Sequence, residues 1–354
     1  MQKGGERGDR DSFNYAGNNT VSIVVPARNE EERLPSLLRT IGMQTKKAGE
    51  IIVVDDNSED ATASIAVRSG CRVISAGALP PGWIGKSWAC WKGACTAEGE
   101  ILIFLDADTT LEADALERMI QAYGEKGGAI SIQPYHSIRK PYEQLSAIFN
   151  IITMMSTNLF TPLGKRLKGE AFFGPCIICG RSDYFTAGGH RKIKGSILDD
   201  VSLGRLFQDS GFPVNCYGGR GVIDFRMYPG GLGDLLEGWS KNFSTGAFSI
   251  GIFSFILIAM WITGAYSITV LLVASAVGGS AAASALFLYL GYGLQISWML
   301  KRIGSFSLLH ILIYPVDLIF FLFTFIRSLI MTFFLHSVTW KGRNIKTESD
   351  RGRE

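Results

Sequence analysis

From Val21 onward, short β-branched runs alternate with longer amphipathic stretches. Residues 21–26, 50–55, 72–75, 101–105 and 129–133 have the length and apolar density of strands. Between them, residues 31–44 place Leu34, Leu37, Leu38 and Ile41 at helical spacing. Residues 61–69, closed by Gly70, and residues 87–97 and 113–123 also read as helices. Strands alternating with helices need crossover connections, which predicts an α/β, Rossmann-like domain with a mostly parallel sheet. Two strands, IIVVDD and ILIFLDAD, stay apolar until they end in acids. In open α/β sheets that carboxyl edge is where ligands bind.

Residues 140–245 are less regular and rich in glycine, as in GPCIICG, AGGH and YGGRG. Residues 196–209 read as a loop entering a helix with Leu203, Leu206 and Phe207 on one face, and residues 232–243 as an amphipathic helix carrying Trp239. After Ala247 the pattern changes: residues 247–279 and 280–300 contain no charged side chain. A membrane span needs about 20 apolar residues, so these predict at least two transmembrane helices. A third apolar region, 303–336, is interrupted by Pro315, Asp317 and Arg327. Lys301 and Arg302 mark a cytoplasmic turn, and the tail is basic as well (Lys341, Arg343, Lys346). Three simple spans would put that tail outside, so the third region is expected to enter and return, bending near Pro315. Intramembrane charges are functional candidates, but Asp317 and Arg327 would sit about 15 Å apart along a continuous helix, too far for a direct pair. A bend at Pro315 would instead place Asp317 at the interface. The expected organisation is a disordered polar segment (1–19), a catalytic domain (20–245), transmembrane helices (246–337) and a basic polar tail (338–354).

Composition narrows the function. A formal net charge of +3, with no basic stripe interleaved with aromatics, excludes a nucleic-acid partner. The six cysteines follow no secretory signal, since the first twenty residues are polar and lack an apolar core. They read as reduced thiols. Cys176-x-x-Cys179 has no second pair at zinc spacing and is expected to be two small residues on a strand.

The candidate chemistry is acidic. Asp106-Ala107-Asp108 follows a buried strand, and such a pair can hold a hard divalent cation that bridges phosphates. The cation would neutralise a departing diphosphate. D-x-D alone is a weak motif, but here Asp55-Asp56 ends an earlier strand of the same series. VPARNEE turns the first strand into a helix, with Asn29 as a candidate N-cap and Glu31 and Glu32 suited to the helix dipole. Capping leaves Glu30 unexplained beside Asp55 and Asp56, where acids repel unless donors such as those of a uridine bind them.

The set VPARNEE, VVDDNS, GKSWAC and FLDAD resembles the family 2 glycosyltransferases, whose nucleotide-sugar domain has the GT-A fold. SIQPYH, FFGPCIICGRSDYFTAGGH, ILDDVSLG, EGWSKNFSTGA and WKGR extend the resemblance to the membrane-bound glycosyltransferases of carotenoid-acid modification, over roughly residues 20–345. The resemblance implies that Pro26, Ala27 and Glu30 line a uridine pocket, that Asp55 and Asp56 reach the base, and that Lys86 lies near the nucleotide. Lys86 also reads as a solvated lysine at a helix start. Asp106 would contact the ribose or the metal, Mg2+ or Mn2+, and Asp108 would ligate it. Asp199-Asp200 stands where the family has an acidic pair at a helix start, with Asp200 as general base. With an already ionised carboxylic acid as acceptor, Asp200 would only orient it. Trp239 keeps the tryptophan of the Q-x-x-R-W motif of processive members, while Leu235 and Gly238 replace the Gln and Arg. That argues against polymerisation. Gly174 and His190 are assigned to the acceptor side, His190 also reading as structural. The resemblance implies an apolar segment before the first strand, and the polar residues 1–19 are not expected to form one.

The function expected is an inverting transfer of a sugar, glucose first, from a UDP-sugar to a lipid-like acceptor by a multi-pass membrane protein with a cytoplasmic catalytic domain. A carotenoid carboxylate or hydroxyl leads; a hopanoid, a polyprenyl phosphate or a ceramide-like lipid are alternatives. A nucleotidyltransferase would need a Gly-rich triphosphate loop that PARNEE lacks. A non-catalytic nucleotide-sugar-binding membrane protein would not need intact acid pairs.

Overall fold

The computed structural model of the chain describes residues 20–157, 160, 172–196, 198–249, 251–278, 282–334, 337–340 and 343–346, with backbone alone at 241–249, 332–334 and beyond. The expected disordered N-terminus (1–19) and most of the basic tail lie outside the described residues.

The chain begins β1 (Val21–Ala27), α1 (Leu34–Gly42), β2 (Glu50–Asp55), α2 (Thr62–Arg68), β3 (Arg72–Ser75), α3 (Gly85–Thr96) and β4 (Ile101–Leu105). Next come β5 (Thr109–Leu111), α4 (Ala115–Lys126), β6 (Ala129–Gln133) and β7 (Tyr135–His136). A 3-10 turn (Pro141–Ser146) runs into α5 (Ala147–Ser156). Then follow β8 (Cys176–Gly180), α6 (Arg181–Ala187), α7 (Gly189–Lys192), α8 (Asp199–Asp209), β9 (Val214–Gly218) and β10 (Ile223–Phe225). The last elements are α9 (Leu232–Ser249), α10 (Ile252–Gly278), α11 (Ala282–Ile303), α12 (His310–Phe334), β11 (Ser337–Trp340) and β12 (Arg343–Lys346).

Seven strands form one sheet in the order β3-β2-β1-β4-β8-β6-β9. Its first half is parallel, with Ala27 opposite Asp55 and Val24 opposite Phe104. The second half departs from the mostly parallel expectation. β8 returns from the excursion through α5 and wedges antiparallel between β4 and β6. Side chains alternate between two buried layers: Val21, Ile23 and Val25 pack with α1 and α4, while Val24 packs with α3. Burial on both faces explains why these strands read as continuous apolar runs. Each fully buried Ile or Leu contributes roughly 1.5–3 kcal/mol. Cys176 and Cys179 are buried on β8 in opposite layers, so they cannot share a metal. Burial pushes both thiols up, away from the reactive thiolate.

The C-terminal helices form a separate apolar block, joined to the sheet domain by α5. That helix is apolar on nearly every side and packs against α10, α11 and α12. Three helices are long and apolar enough to cross a membrane: Ile252–Val277, Ala282–Ile303 and His310–Met331, with hydropathies of 2.1, 1.2 and 1.8. Their outer faces show Phe253, Val270, Phe287, Ile319 and Phe323 to the surroundings. The third apolar region does not enter and return. It is one continuous helix of 25 residues with Pro315 in its second turn. There a proline removes one N–H, the partner of the Ile311 carbonyl, and the helix absorbs it. Asp317 is buried within the protein, and its carboxylate faces His310 Nδ1. Arg327 donates to Ser240 Oγ at 2.7 Å and to the Leu236 carbonyl at 3.2 Å, tying α12 to α9.

Candidate active site

The site gathers at the carboxyl ends of β1, β2 and β4. β4 is fully buried through Leu105, and the chain then turns so that the Thr109 N–H and hydroxyl donate to the Asp106 carbonyl at 3.2 and 2.8 Å. This turn lifts Asp106 and Asp108 out of the core. Lys86, in the first turn of α3, reaches across to Asp106, with Nζ 2.7 Å from Oδ1 and 2.9 Å from Oδ2. Its reading as a solvated lysine therefore fails: the ammonium is committed to a carboxylate. Burial acts to lower the Lys86 pKa, but Asp106 and Asp199 more than offset it, and the group stays charged.

Gly174 locates the other acidic pair. A Cβ built there would lie 3.2 Å from Asp200 Oδ2 and 3.4 Å from Lys86 Nζ, so carboxylate and ammonium face one small space. The neighbouring Pro175 carbonyl accepts from the Asp106 N–H at 3.0 Å, which pins this loop to the D-x-D turn. Asp199 and Asp200 open α8, and Asp200 Oδ1 accepts from the Val201 N–H at 2.8 Å. Burial, then the neighbouring Asp199, pushes the Asp200 carboxyl up to about 6, against the pull of Lys86. Burial, then Asp106, pushes Asp108 up to about 7, with Arg33 opposing and Glu30 adding to the rise. The acids thus outnumber the cations that face them.

At the β1–β2 edge, the Asp56 N–H donates to the Ala27 carbonyl at 2.8 Å. Asp56 is buried, and Arg28 Nη1 donates to its carbonyl at 2.8 Å. The Glu30 N–H donates to Thr62 Oγ1, and Glu30 lies 3.5 Å from Arg33. Pro26 is half-buried, Ala27 is sealed in the sheet, and Asp55 accepts weakly from the Ser58 N–H at 3.4 Å. Asn29 does not cap α1. The helix starts only at Leu34, and Asn29 has a φ of 52° and accepts from the Glu59 N–H across the loop. A turn from β1 into α1 that also has to meet α2 leaves no room for a local cap.

Two residues assigned to the site lie elsewhere. His190 is 2% exposed, its Nδ1 2.8 Å from the Tyr184 hydroxyl and its ring edge-on to Phe104. Burial, reinforced by Lys86, lowers its pKa to about 3, so it is a neutral core histidine and not an acceptor contact. Trp239 stacks on Phe149 at 4.7 Å and donates from Nε1 to Ser146 Oγ at 3.1 Å. Its ring is packed where α9 meets α5, a buried packing position and not the open placement expected of a catalytic side chain. Arg28 and Arg33 are neighbours that sequence reading missed; Arg28 stands within VPARNEE and Arg33 two residues after it, and a cation among so many acids was the available signal.

The donor set fits a hard cation. Among the described residues no three His, Cys, Asp or Glu are grouped to hold a metal alone. Mg2+-type sites typically take one or two carboxylates and complete their shell with phosphate and water. Asp108, half-buried near Asp106 and raised in pKa, is a carboxylate that a cation would relieve.

Fold, acid pairs and apolar helices together define a GT-A glycosyltransferase, and the chain belongs to the family 2 glycosyltransferases. Residues 22–185 match the family described as Glycosyl transferase family 2. The chain is 39% identical over 341 residues to 4,4'-diaponeurosporenoate glycosyltransferase of Staphylococcus haemolyticus (strain JCSC1435), covering 92% of this chain and 88% of that protein. To the protein of the same name in Staphylococcus aureus (strain MRSA252) it is 35% identical over 346 residues, covering 96% and 91%. Among solved structures, glucosyl-3-phosphoglycerate synthase from Mycobacterium tuberculosis, in complex with Mn2+, UDP-glucose and phosphoglyceric acid, aligns with a TM-score of 0.43 at 23% identity, over 65% of this chain and 79% of that one.

Proposed function

We propose that the chain transfers glucose from UDP-glucose to the carboxylate of a carotenoid acid such as 4,4'-diaponeurosporenoate, with inversion at the anomeric carbon. The observation that carries this reading is the convergence of Lys86, Asp106, Gly174 and Asp200 on one small space at the sheet edge. The acceptor class is supported by the relatives' name and by a domain packed directly on apolar helices. Lys301 and Arg302 support a cytoplasmic catalytic domain on a multi-pass anchor.

Asp106 and Asp108 would hold Mg2+ or Mn2+, which would neutralise charge on the departing diphosphate. Glu30, Asp55 and Asp56 would accept from the donors of the uracil and ribose, with half-buried Pro26 as the pocket wall and Ala27 packed behind it in the sheet. Lys86 keeps its charge beside Asp106 and is placed to attract the diphosphate. One displacement with no protein nucleophile inverts the sugar. Asp200, near 6, takes the proton of a hydroxyl or neutral acid acceptor; an acceptor that is already ionised it only orients.

The test is UDP release by the detergent-solubilised chain from a panel of UDP-sugars, with and without divalent metal, with total membrane lipid as acceptor. Metal-dependent, lipid-stimulated release that disappears in Asp108→Ala and Asp200→Asn is expected. The lipid that gains label separates a carotenoid acid from hopanoid, polyprenyl phosphate or ceramide-like acceptors. Release without lipid transfer, or calorimetric binding of nucleotide with no turnover, would sink the reading.

A further inference from the structure

Tyr228 lies in the loop that joins β10 to α9. Antiparallel pairing sets Ile223 against Leu111, Asp224 against Thr110 and Phe225 against Thr109. The chain after Phe225 therefore leaves the small sheet beside Asp108, the residue before Thr109. Contacts from the 3-10 turn fix its path. Arg226 donates from Nε and Nη2 to Glu143 Oε1 at 3.0 and 2.6 Å. The buried Glu143 is itself held through Oε2 by the Arg139 and Lys140 N–H groups at 2.6 and 3.1 Å. The Tyr142 hydroxyl donates to the Tyr228 carbonyl at 2.9 Å.

So clamped, Tyr228 adopts a φ of 50°, a conformation that a bulky residue keeps only when its surroundings over-determine it. Its ring stands edge-on to Trp239 at 5.8 Å and lies over Gly238. A Cβ at Gly238 would come within 2.0 Å of the ring, so any side chain there would evict it. The absence of a side chain at 238 is thus what lets the ring take its place.

Among the described residues, the Tyr228 hydroxyl makes no hydrogen bond. Burial pushes its ionisation up, with Asp234 and Asp108 adding to the rise and Arg33 opposing it. The phenol is therefore a proton donor at any physiological pH, within electrostatic reach of a D-x-D carboxylate and a guanidinium. A phosphate oxygen is the ligand that a donor in that company fits.

We propose that Tyr228 is a diphosphate-contacting residue: its hydroxyl donates a hydrogen bond to the diphosphate of the nucleotide sugar and of the released nucleotide, and Gly238 provides the room. This rests on the nucleotide-sugar reading above. The aromatic clamp makes the contact rigid, so no ordering of the loop is needed at binding.

Calorimetry of UDP with Mn2+ on the full detergent-solubilised chain tests it, with uridine measured by competition. Tyr228→Phe is expected to weaken UDP about tenfold, with uridine affinity and Tm unchanged. Gly238→Ala, which displaces the ring, is expected to weaken UDP by a similar factor. UDP affinity in Tyr228→Phe within twofold of the parent overturns the inference, as does an equal loss for UDP and uridine. A parent chain that binds no UDP overturns both this inference and the nucleotide-sugar reading. A parent that binds UDP while Tyr228→Phe matches it overturns this inference alone.

Discussion

The two halves of the molecule treat buried ionisable groups in opposite ways. In the helical block these are matched, although the Ser297 and Tyr314 hydroxyls there are buried without a hydrogen-bond partner among the described residues. His310 sits with Nδ1 against Asp317 and Nε2 2.8 Å from Gln144 Oε1, which also accepts from the Ser307 N–H at 3.1 Å. Arg327 is bonded to Ser240 and Leu236, and the Tyr266 and Tyr289 hydroxyls cap carbonyls of α12. At the sheet edge the balance is left open. Asp108 and Asp200 are pushed up to about 7 and 6, first by burial and then by neighbouring carboxylates that one ammonium and one guanidinium do not balance. A satisfied buried network holds structure, whereas an unbalanced one stores a demand for a partner. The comparison predicts that site substitutions cost activity and not stability, and that block substitutions do the reverse.

The largest expected effect is on turnover. Asp108→Ala should lower kcat/KM by at least about 10²–10³-fold, the scale of removing one transition-state electrostatic partner. Lys86→Met should cost about as much, and it also leaves Asp106 and its acidic neighbours without their cation. Steady-state kinetics in detergent check both, with thermal unfolding alongside. A drop of kcat/KM below tenfold in either variant would remove these residues from the chemistry.

Asp317→Ala is the mirror experiment. It strands His310 Nδ1 in a buried setting, and breaking one half of such a pair costs about 3 kcal/mol. The expected result is a clearly lower Tm with UDP affinity unchanged. If UDP binding falls in step with stability, the two halves are not energetically separable and the comparison breaks.

The site's own charge makes a subtler prediction. Asp in an unfolded chain titrates near 3.9, whereas Asp200 in the fold titrates at about 6. The native state therefore holds this proton more tightly, and stability falls as pH rises from about 4 through about 6. Above that the full penalty is present. Asp200→Asn, which carries no charge, should raise stability at pH 7.5 by about 1 kcal/mol once partial exposure is discounted. The gain should shrink through pH 6 and vanish near pH 4. Activity moves the opposite way, and in the parent its acid limb should fall near pH 6 if the ionised Asp200 is needed. A lower Tm for Asp200→Asn at pH 7.5 would mean the carboxylate stabilises the fold.

What sequence could supply follows the same division. Periodicity located β2, β3, β4 and β6 at their observed bounds; β4 and β6 are buried throughout, β2 through its centre, and the partly exposed edge strand β3 still shows as a short β-branched run. The acids were visible because two acid pairs, Asp55-Asp56 and Asp106-x-Asp108, end strands of one series, although either alone is a weak signal. Long-range placement was hidden. Nothing local says that β8 runs backwards between β4 and β6, since that depends on where the chain re-enters after α5. His190 is assigned to the acceptor side on sequence, yet it is closed in by Tyr184 of the preceding helix and by Phe104 of the distant β4. Pro315 looked like a reversal, because a single proline signals a break only if neighbours do not take up the loosened carbonyls.

Tyr289→Phe addresses that last point and carries the smallest expected effect. Pro315 lacks the N–H that the Ile311 carbonyl would use, which leaves this turn one backbone hydrogen bond short. The Tyr289 hydroxyl, from α11, donates to the adjacent Leu312 carbonyl, and its ring packs on Tyr314 at 4.7 Å. Phenylalanine keeps the ring and deletes only the donor. Interhelical hydrogen bonds within membranes average about 0.6 kcal/mol, because the loosened state finds other partners. The expected loss is therefore under about 1 kcal/mol, read as a small drop in Tm with kinetics unchanged. A loss several times larger would mean that the continuity of α12 hangs on this one hydroxyl. The matched network of the helical block would then be as finely balanced as the site it carries.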